Sequence, residues 1–330
     1  MKLHTHPALF RQAIRFTSDR KEIPEIYIEK DYWVTYALKQ IFSDPEIASY
    51  TVFKGGTALS KCYKMIERFS EDIDLVVLKR DGERNAARDR KVKSISKLME
   101  TSLPEISIDG LTRKRGQIRK TAHQYEKSFR GDFGQVRDVI IVEATWFGHS
   151  EPWQEIEIAS YIYEEQRTLD QVSTLNGFEM EPFRIKVLDP KRTLCEKIMS
   201  LVRFSYQANP ILDLKNKIRH TYDLYQMLQR QEILNFFTSQ KFDEMMVRVG
   251  QEDAESFKNN NSWLANHPAK APIFSKLDTV WPELSSTYEG NFANLVYGKL
   301  PTPKQIQNNL SNIEQRLGRI EWQINLDNLA

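Results

Sequence analysis

Apolar and polar positions along this chain follow two regimes, one mixed and one helical. Residues 8–18 place Leu9, Phe10, Ala13 and Ile14 at helical spacing. Residues 26–42 do the same with Tyr32, Trp33, Tyr36, Ala37 and Ile41. Residues 51–54 then predict a strand, 57–65 a short helix, 70–78 a second strand and 85–101 another helix. Further strands are expected over 106–112, 136–146, 155–163 and 183–187, with Asn176-Gly177 as a hairpin signal between the last two. From Asp189-Pro190, a good helix start, the pattern turns helical. Residues 193–204 and 215–228 read as helices, and Trp263, Trp281, Pro268, Pro272 and Pro282 mark loops between later ones. In residues 303–322, Ile306, Leu310, Ile313, Leu317 and Ile320 repeat at 4, 3, 4, 3. Over so short a span that seam predicts core packing rather than a coiled coil.

The stretch 51–78 carries chemistry as well as structure. Asp72 and Asp74 stand two apart in an apolar strand, so both carboxylates project from one face while Ile73 and Leu75 take the other. Neighbouring carboxylates repel, and a strand that presents a pair has use for a hard divalent cation. Sixteen residues before Asp72 lies Gly56, preceded by Gly55. A glycine pair permits close backbone approach and positive φ, and the helix expected from Thr57 would direct free N–H groups at an anion. A phosphate cradle followed by a metal-binding pair suits a nucleoside triphosphate. Glu143 closes the apolar run Val139–Val142; buried in the sheet it would need a partner or a metal, and at the strand end it would face solvent. Asp138 is a rival five residues away and therefore on the opposite face; Glu157, in an alternating segment, fits a solvent face equally well.

The string KGGTALSK over residues 54–61 with RFSEDIDL over 68–75 resembles the AbiEii/AbiGii nucleotidyl transferase toxins, within the DNA polymerase β-like nucleotidyltransferases. Glu196-Lys197 and the R-x-x-Y-D-L of residues 219–224 look like later motifs of that family, and Glu29-Lys30-Asp31 like an earlier one. The resemblance runs from Lys30 to Asp223 and leaves the last hundred or so residues uncovered. It implies an α/β nucleotidyltransferase fold with a mixed sheet over residues 1–188 and a helical region over 189–330 contributing Lys197 and Asp223. It implies transfer of NMP from an NTP, with two Mg²⁺ held by Asp72 and Asp74 and Glu143 completing one site. Gly55, Gly56, Thr57 and Ser70 would bind the triphosphate, Lys197 would neutralise it, and Asp223 would lie at the site. An RNA acceptor such as tRNA, a cognate antitoxin and a role in toxin–antitoxin or abortive phage-defence systems follow from the same resemblance. A nucleotide-binding or RNA-binding regulator without turnover is the alternative, against which the intact Asp72 and Asp74 argue.

Composition adds bounds. With 330 residues, 40% hydrophobic and 28% charged, the chain is an ordinary globular protein long enough for two domains or one large one. A net charge of +2 leaves any nucleic-acid reading to local clusters. Residues 79–93 hold seven Lys/Arg, and residues 113–130 hold seven against one acid, interleaved with Tyr125 and Phe129. The second cluster is expected as a loop near the site mouth, where it would meet a polyanion. Glu29, Lys30 and Asp31 read as a solvated first helical turn. Arg219 and Asp223 read as a surface i, i+4 pair. Two distant cysteines, and no run of 18 apolar residues, fit a cytoplasmic protein without a membrane span.

Overall fold

The computed structural model describes residues 1–330 apart from 80–81, 115–116, 131–136, 147–151, 176, 258–259 and 327–330. The chain divides into two compact units: Met1–Cys62 with Phe69–Leu188, and Tyr63–Arg68 with Asp189–Ala330.

The first unit runs α1 (Pro7–Lys21), α2 (Glu25–Ser43), α3 (Pro45–Tyr50), β1 (Thr51–Lys54), α4 (Gly55–Lys61), β2 (Ile73–Val77) and α5 (Asn85–Ser102). It continues with β3 (Glu105–Ile106), β4 (Ile118–His123), β5 (Ile140–Thr145), β6 (Trp153–Ile158), α6 (Tyr161–Thr168) and β7 (Phe183–Leu188). The strands form one mixed sheet in the order β3-β4-β5-β2-β1-β7-β6. β1 pairs antiparallel with β2, whereas β2–β5 and β1–β7 are parallel. Val52, Phe53, Ile73, Leu75, Ile140 and Ile141 are wholly buried, as the near-continuous apolar runs of central strands require. The helix α2 packs against β5, β7 and α5, which explains why nearly all of its surface is apolar or buried. The expected α/β class with a mixed sheet is what the chain forms.

Several local expectations change. The strand expected over 106–112 stops at Ile106, because the chain turns at Ile108–Thr112 with Gly110 at φ +72°. The basic cluster is not simply a loop. Its residues Ile118–His123 form β4, whose Thr121, Ala122 and His123 are buried beneath a polar-looking sequence. Residues 155–163 do not stay extended; Ser160 caps α6 by accepting from Tyr163 N–H. β6 and β7 do pair antiparallel, but α6 and a 3₁₀ turn at Val172–Leu175 lie between them, so no two-residue hairpin forms. Asn176 itself lies outside the described residues.

The second unit is helical: α7 (Pro190–Phe204), α8 (Pro210–Asn216), α9 (Arg219–Leu228), α10 (Gln231–Phe237) and α11 (Gln240–Ser256). α12 (Pro272–Ser275), α13 (Leu277–Thr287) and α14 (Pro303–Leu317) complete it. Asp189 caps α7, its carboxylate accepting the Lys191 N–H at 2.8 Å. The single helix expected over 215–228 breaks at Lys217–Ile218. Ile306, Leu310, Ile313 and Leu317 on α14 are all 0% exposed, so the heptad-like seam is core packing within the unit.

Candidate active site

Three adjacent strands set out the acids. Lys54 at the end of β1 registers with Asp74 on β2, and Asp74 registers with Glu143 on β5. Asp72 immediately precedes β2. Gly55, the next residue after Lys54, has φ +83°, and a Cβ there would lie 2.2 Å from Asp74 Oδ2. Only glycine satisfies both the left-handed backbone and that approach. Burial, then the Glu143 and Asp72 charges, push the Asp74 carboxyl up to about 7, against the pull of Lys54 and Lys120. The register therefore sets Glu143 beside Asp74, a neighbour that sequence spacing alone could not supply.

Protein cations stand beside two of these acids. Glu143 Oε2 accepts from Lys120 Nζ at 2.9 Å, across the β4–β5 register. Asp72 Oδ1 is buried with no hydrogen-bond donor; Arg137 Nη1 lies 3.6 Å away. Among the described residues no three His, Cys, Asp or Glu side chains are already drawn together as a metal-binding group. The donor set nonetheless fits a hard divalent cation. It is all carboxylate oxygen, one oxygen lacks a donor, and burial together with the neighbouring acids raises the Asp74 carboxyl.

The cradle is built from the same segment. α4 opens at Gly55 rather than Thr57, and Gly56 lies in its first turn. Thr57 is buried; its hydroxyl donates to the Asp72 carbonyl at 2.7 Å and lies 3.0 Å from the Ser70 hydroxyl. Thr57 thus ties the helix to the loop carrying Ser70 and Asp72, while Ser70 keeps partial exposure.

The Glu29-Lys30-Asp31 triplet is not solvated. The three are 0%, 0% and 7% exposed, because α2 begins at Glu25 and carries them along a helix packed against β5, β7 and α5. Glu29 accepts the Ser128 and Phe129 N–H groups at 2.6 and 3.1 Å. Lys30 pairs with Glu71 at 2.6 Å and donates to the Arg137 carbonyl. Asp31 pairs with Lys61 at 2.6 Å and accepts the Tyr161 N–H at 2.7 Å. Burial pulls Lys30 down and Glu71 up, each toward its neutral form, and each partner opposes this. Three consecutive charges inside an otherwise aromatic helix were the available signal for such a buried lattice.

The rival acids are elsewhere. Asp138 is exposed, precedes β5 and pairs with Lys127 at 2.5 Å, which draws its carboxyl down. Glu157 is exposed on the edge strand β6, opposite Arg184 and three strands from β2. Much of the basic cluster is already paired: Lys114 with Glu105, Lys120 with Glu143 and Lys127 with Asp138. Tyr125 is buried against Trp33 rather than displayed, and Arg115 lies outside the described residues.

Lys197 and Asp223 come together in the second unit. Asp223 is 0% exposed and accepts from Lys197 Nζ at 2.7 Å and from Arg68 through two bonds of 2.7 and 2.8 Å. Burial would raise the Asp223 carboxyl, but the Arg68 and Lys197 charges hold it well below the usual range. Burial lowers Lys197, with Asp223 opposing. Asp223 is therefore the centre of a buried ion cluster, not half of a surface pair with Arg219.

A family model described as nucleotidyl transferase AbiEii toxin, type IV TA system, matches residues 36–324. No curated protein matches the chain.

Proposed function

Because this chain belongs to the AbiEii nucleotidyl transferase toxin family of type IV toxin–antitoxin systems, we propose that its first unit carries the transfer site. The reaction moves NMP from an NTP to the hydroxyl of an RNA acceptor, with tRNA the leading candidate. The observation that carries this reading is the convergence of Asp74, Asp72 and Glu143 from neighbouring chain segments beside a glycine whose Cβ would strike Asp74.

Asp72 and Asp74 would hold Mg²⁺, two ions in all with Glu143 completing one site, and the metal would supply charge neutralisation at the triphosphate and a more acidic acceptor hydroxyl. Gly55 leaves the room that lets Asp74 stand at the cradle. Gly56 and Ser70 offer the triphosphate a backbone N–H and a hydroxyl, and Thr57 fixes both segments by its bond to the Asp72 carbonyl. Lys120 orients Glu143 by donating to its Oε2. The acceptor oxygen forms a bond to the α-phosphorus, the α–β bridging bond breaks, pyrophosphate leaves, and the hydroxyl proton passes to a carboxylate or solvent. Such catalysis is mostly positioning and electrostatics. Within the second unit, Asp223 holds Lys197 in a buried ion pair. The partner is a cognate antitoxin, the setting a cytoplasmic phage-defence system; no described helix is long and apolar enough to cross a membrane.

Expression in a bacterial host tests the toxin role. Wild type is expected to arrest growth, Asp74→Asn to leave it unaffected, and co-expression of the neighbouring antitoxin to restore it. Equal growth with both forms, at equal protein levels, contradicts the assignment. A protein that binds NTP and RNA without turnover would instead be the regulator considered above.

A further inference from the structure

The backbone of Arg137 is gripped from both sides by one buried ion pair. Glu71 Oε1 accepts the Arg137 N–H at 2.8 Å, and Lys30 Nζ donates to the Arg137 carbonyl. Lys30 and Glu71 are themselves 2.6 Å apart and 0% and 4% exposed. Burying two charges costs desolvation that an apolar pair of similar volume avoids, so stability alone does not explain them. Their distinctive effect is placement. Glu71 is the residue before Asp72, so the same clamp sets a metal-site acid and a cation beside it.

The guanidinium it places is unspent. Arg137 Nη1 lies 3.6 Å from Asp72 Oδ1, an electrostatic neighbour beyond hydrogen-bonding distance, and the side chain is 42% exposed. Among the described residues the guanidinium donates no hydrogen bond; the Arg137 bonds are those of its backbone. A divalent cation at Asp72 and Asp74 would repel this side chain from Asp72. The planar fork of five donors then matches phosphate oxygens in a way no carboxylate edge at 3.6 Å does.

We propose that Arg137 binds the triphosphate of the incoming nucleotide, and that Lys30 and Glu71 are positioning residues holding it at Asp72. This rests on the transferase reading above and names a residue that neither the family motifs nor the carboxylate pattern supplies.

The test is equilibrium binding of a non-hydrolysable NTP in the presence of Mg²⁺, with Mn²⁺ binding measured alone. Arg137→Ala is expected to raise Kd for the nucleotide tenfold or more, while Mn²⁺ binds no more weakly than to wild type. Arg137→Lys is expected to restore part of the loss, since a point charge replaces the fork. The paired variant Lys30→Met with Glu71→Gln removes both buried charges together and is expected to weaken nucleotide binding in the same direction. Unchanged nucleotide affinity in Arg137→Ala overturns the proposal, as does an equal loss of Mn²⁺ binding, which would mark a merely structural residue. Wild type that binds Mn²⁺ but no nucleotide would overturn the transferase reading itself, a result distinct from either.

Discussion

Gly55 and Asp74 stand so close across the β1–β2 pair that a single methyl on the glycine would lie 2.2 Å from Asp74 Oδ2. The glycine is needed twice, for its φ of +83° and for this contact. Gly55→Ala is therefore expected to displace the Asp74 carboxylate and reduce transfer by about a hundredfold or more, an effect on the order of 3 kcal/mol in the barrier. The backbone strain alone costs about 1 kcal/mol of stability. Activity measured beside thermal unfolding checks this; a folded Gly55→Ala protein with wild-type activity would remove Asp74 from the chemistry.

Asp74 gives a pH dependence with a definite sign. An unfolded Asp titrates near about 3.9, whereas the folded carboxyl sits at about 7. Between those values the folded protein holds the extra proton, so metal-free stability falls as pH rises from about 4 to 7. Asp74→Asn is expected to raise Tm at pH 8, roughly 2–4 °C for each kcal/mol relieved, and to leave it unchanged below pH 4. Mn²⁺ affinity, which needs the carboxylate, is expected to climb up to tenfold per pH unit below 7 and level off above it. Calorimetric titration at pH 5.5 and 8 reads this; flat affinity would contradict it.

In the second unit, Asp223 pairs with two buried cations, Arg68 and Lys197. Asp223→Asn leaves both under-compensated and is expected to cost about 3–5 kcal/mol. Loss of activity in that variant would reflect unfolding. Lys197→Met leaves the two-bond Arg68–Asp223 pair intact and is expected to cost much less stability than Asp223→Asn. Thermal melts of the two variants separate them, and equal destabilisation would contradict the difference in roles.

The basic cluster has fewer free cations than its composition promises. Lys114, Lys120 and Lys127 are paired locally, whereas Arg113 and Arg130 are exposed. The double variant Arg113→Ala/Arg130→Ala is expected to weaken RNA binding and lower the salt slope by up to about two units, near one per phosphate contact. An unchanged slope would leave this segment a solvated face.

What was legible in the sequence follows from how local each signal is. The strand carrying Asp74, the glycine turn, the capped start of α7 at Asp189 and the seam on α14 each depend on neighbours within a few residues. β4 was missed because its buried members are Thr121, Ala122 and His123, which carry no apolar alternation. The Glu29-Lys30-Asp31 lattice was misread because its partners, Ser128, Glu71 and Lys61, are 30 to 99 residues away. Glu143 shows the intermediate case. Its strand was plain, but its place opposite Asp74 depends on a parallel register that no local pattern encodes.

Label transfer is the most direct test of the site. Wild type is incubated with Mg²⁺, total tRNA and each NTP labelled at either the α- or the γ-phosphate, beside Asp72→Asn and Asp74→Asn proteins shown by melting to be folded. Wild type is expected to move α-label into RNA and to release γ-label as pyrophosphate, while both variants lose at least a hundredfold in rate. RNA that takes up γ-label instead, or an Asp74→Asn protein that transfers α-label as fast as wild type, would contradict nucleotidyl transfer at these carboxylates.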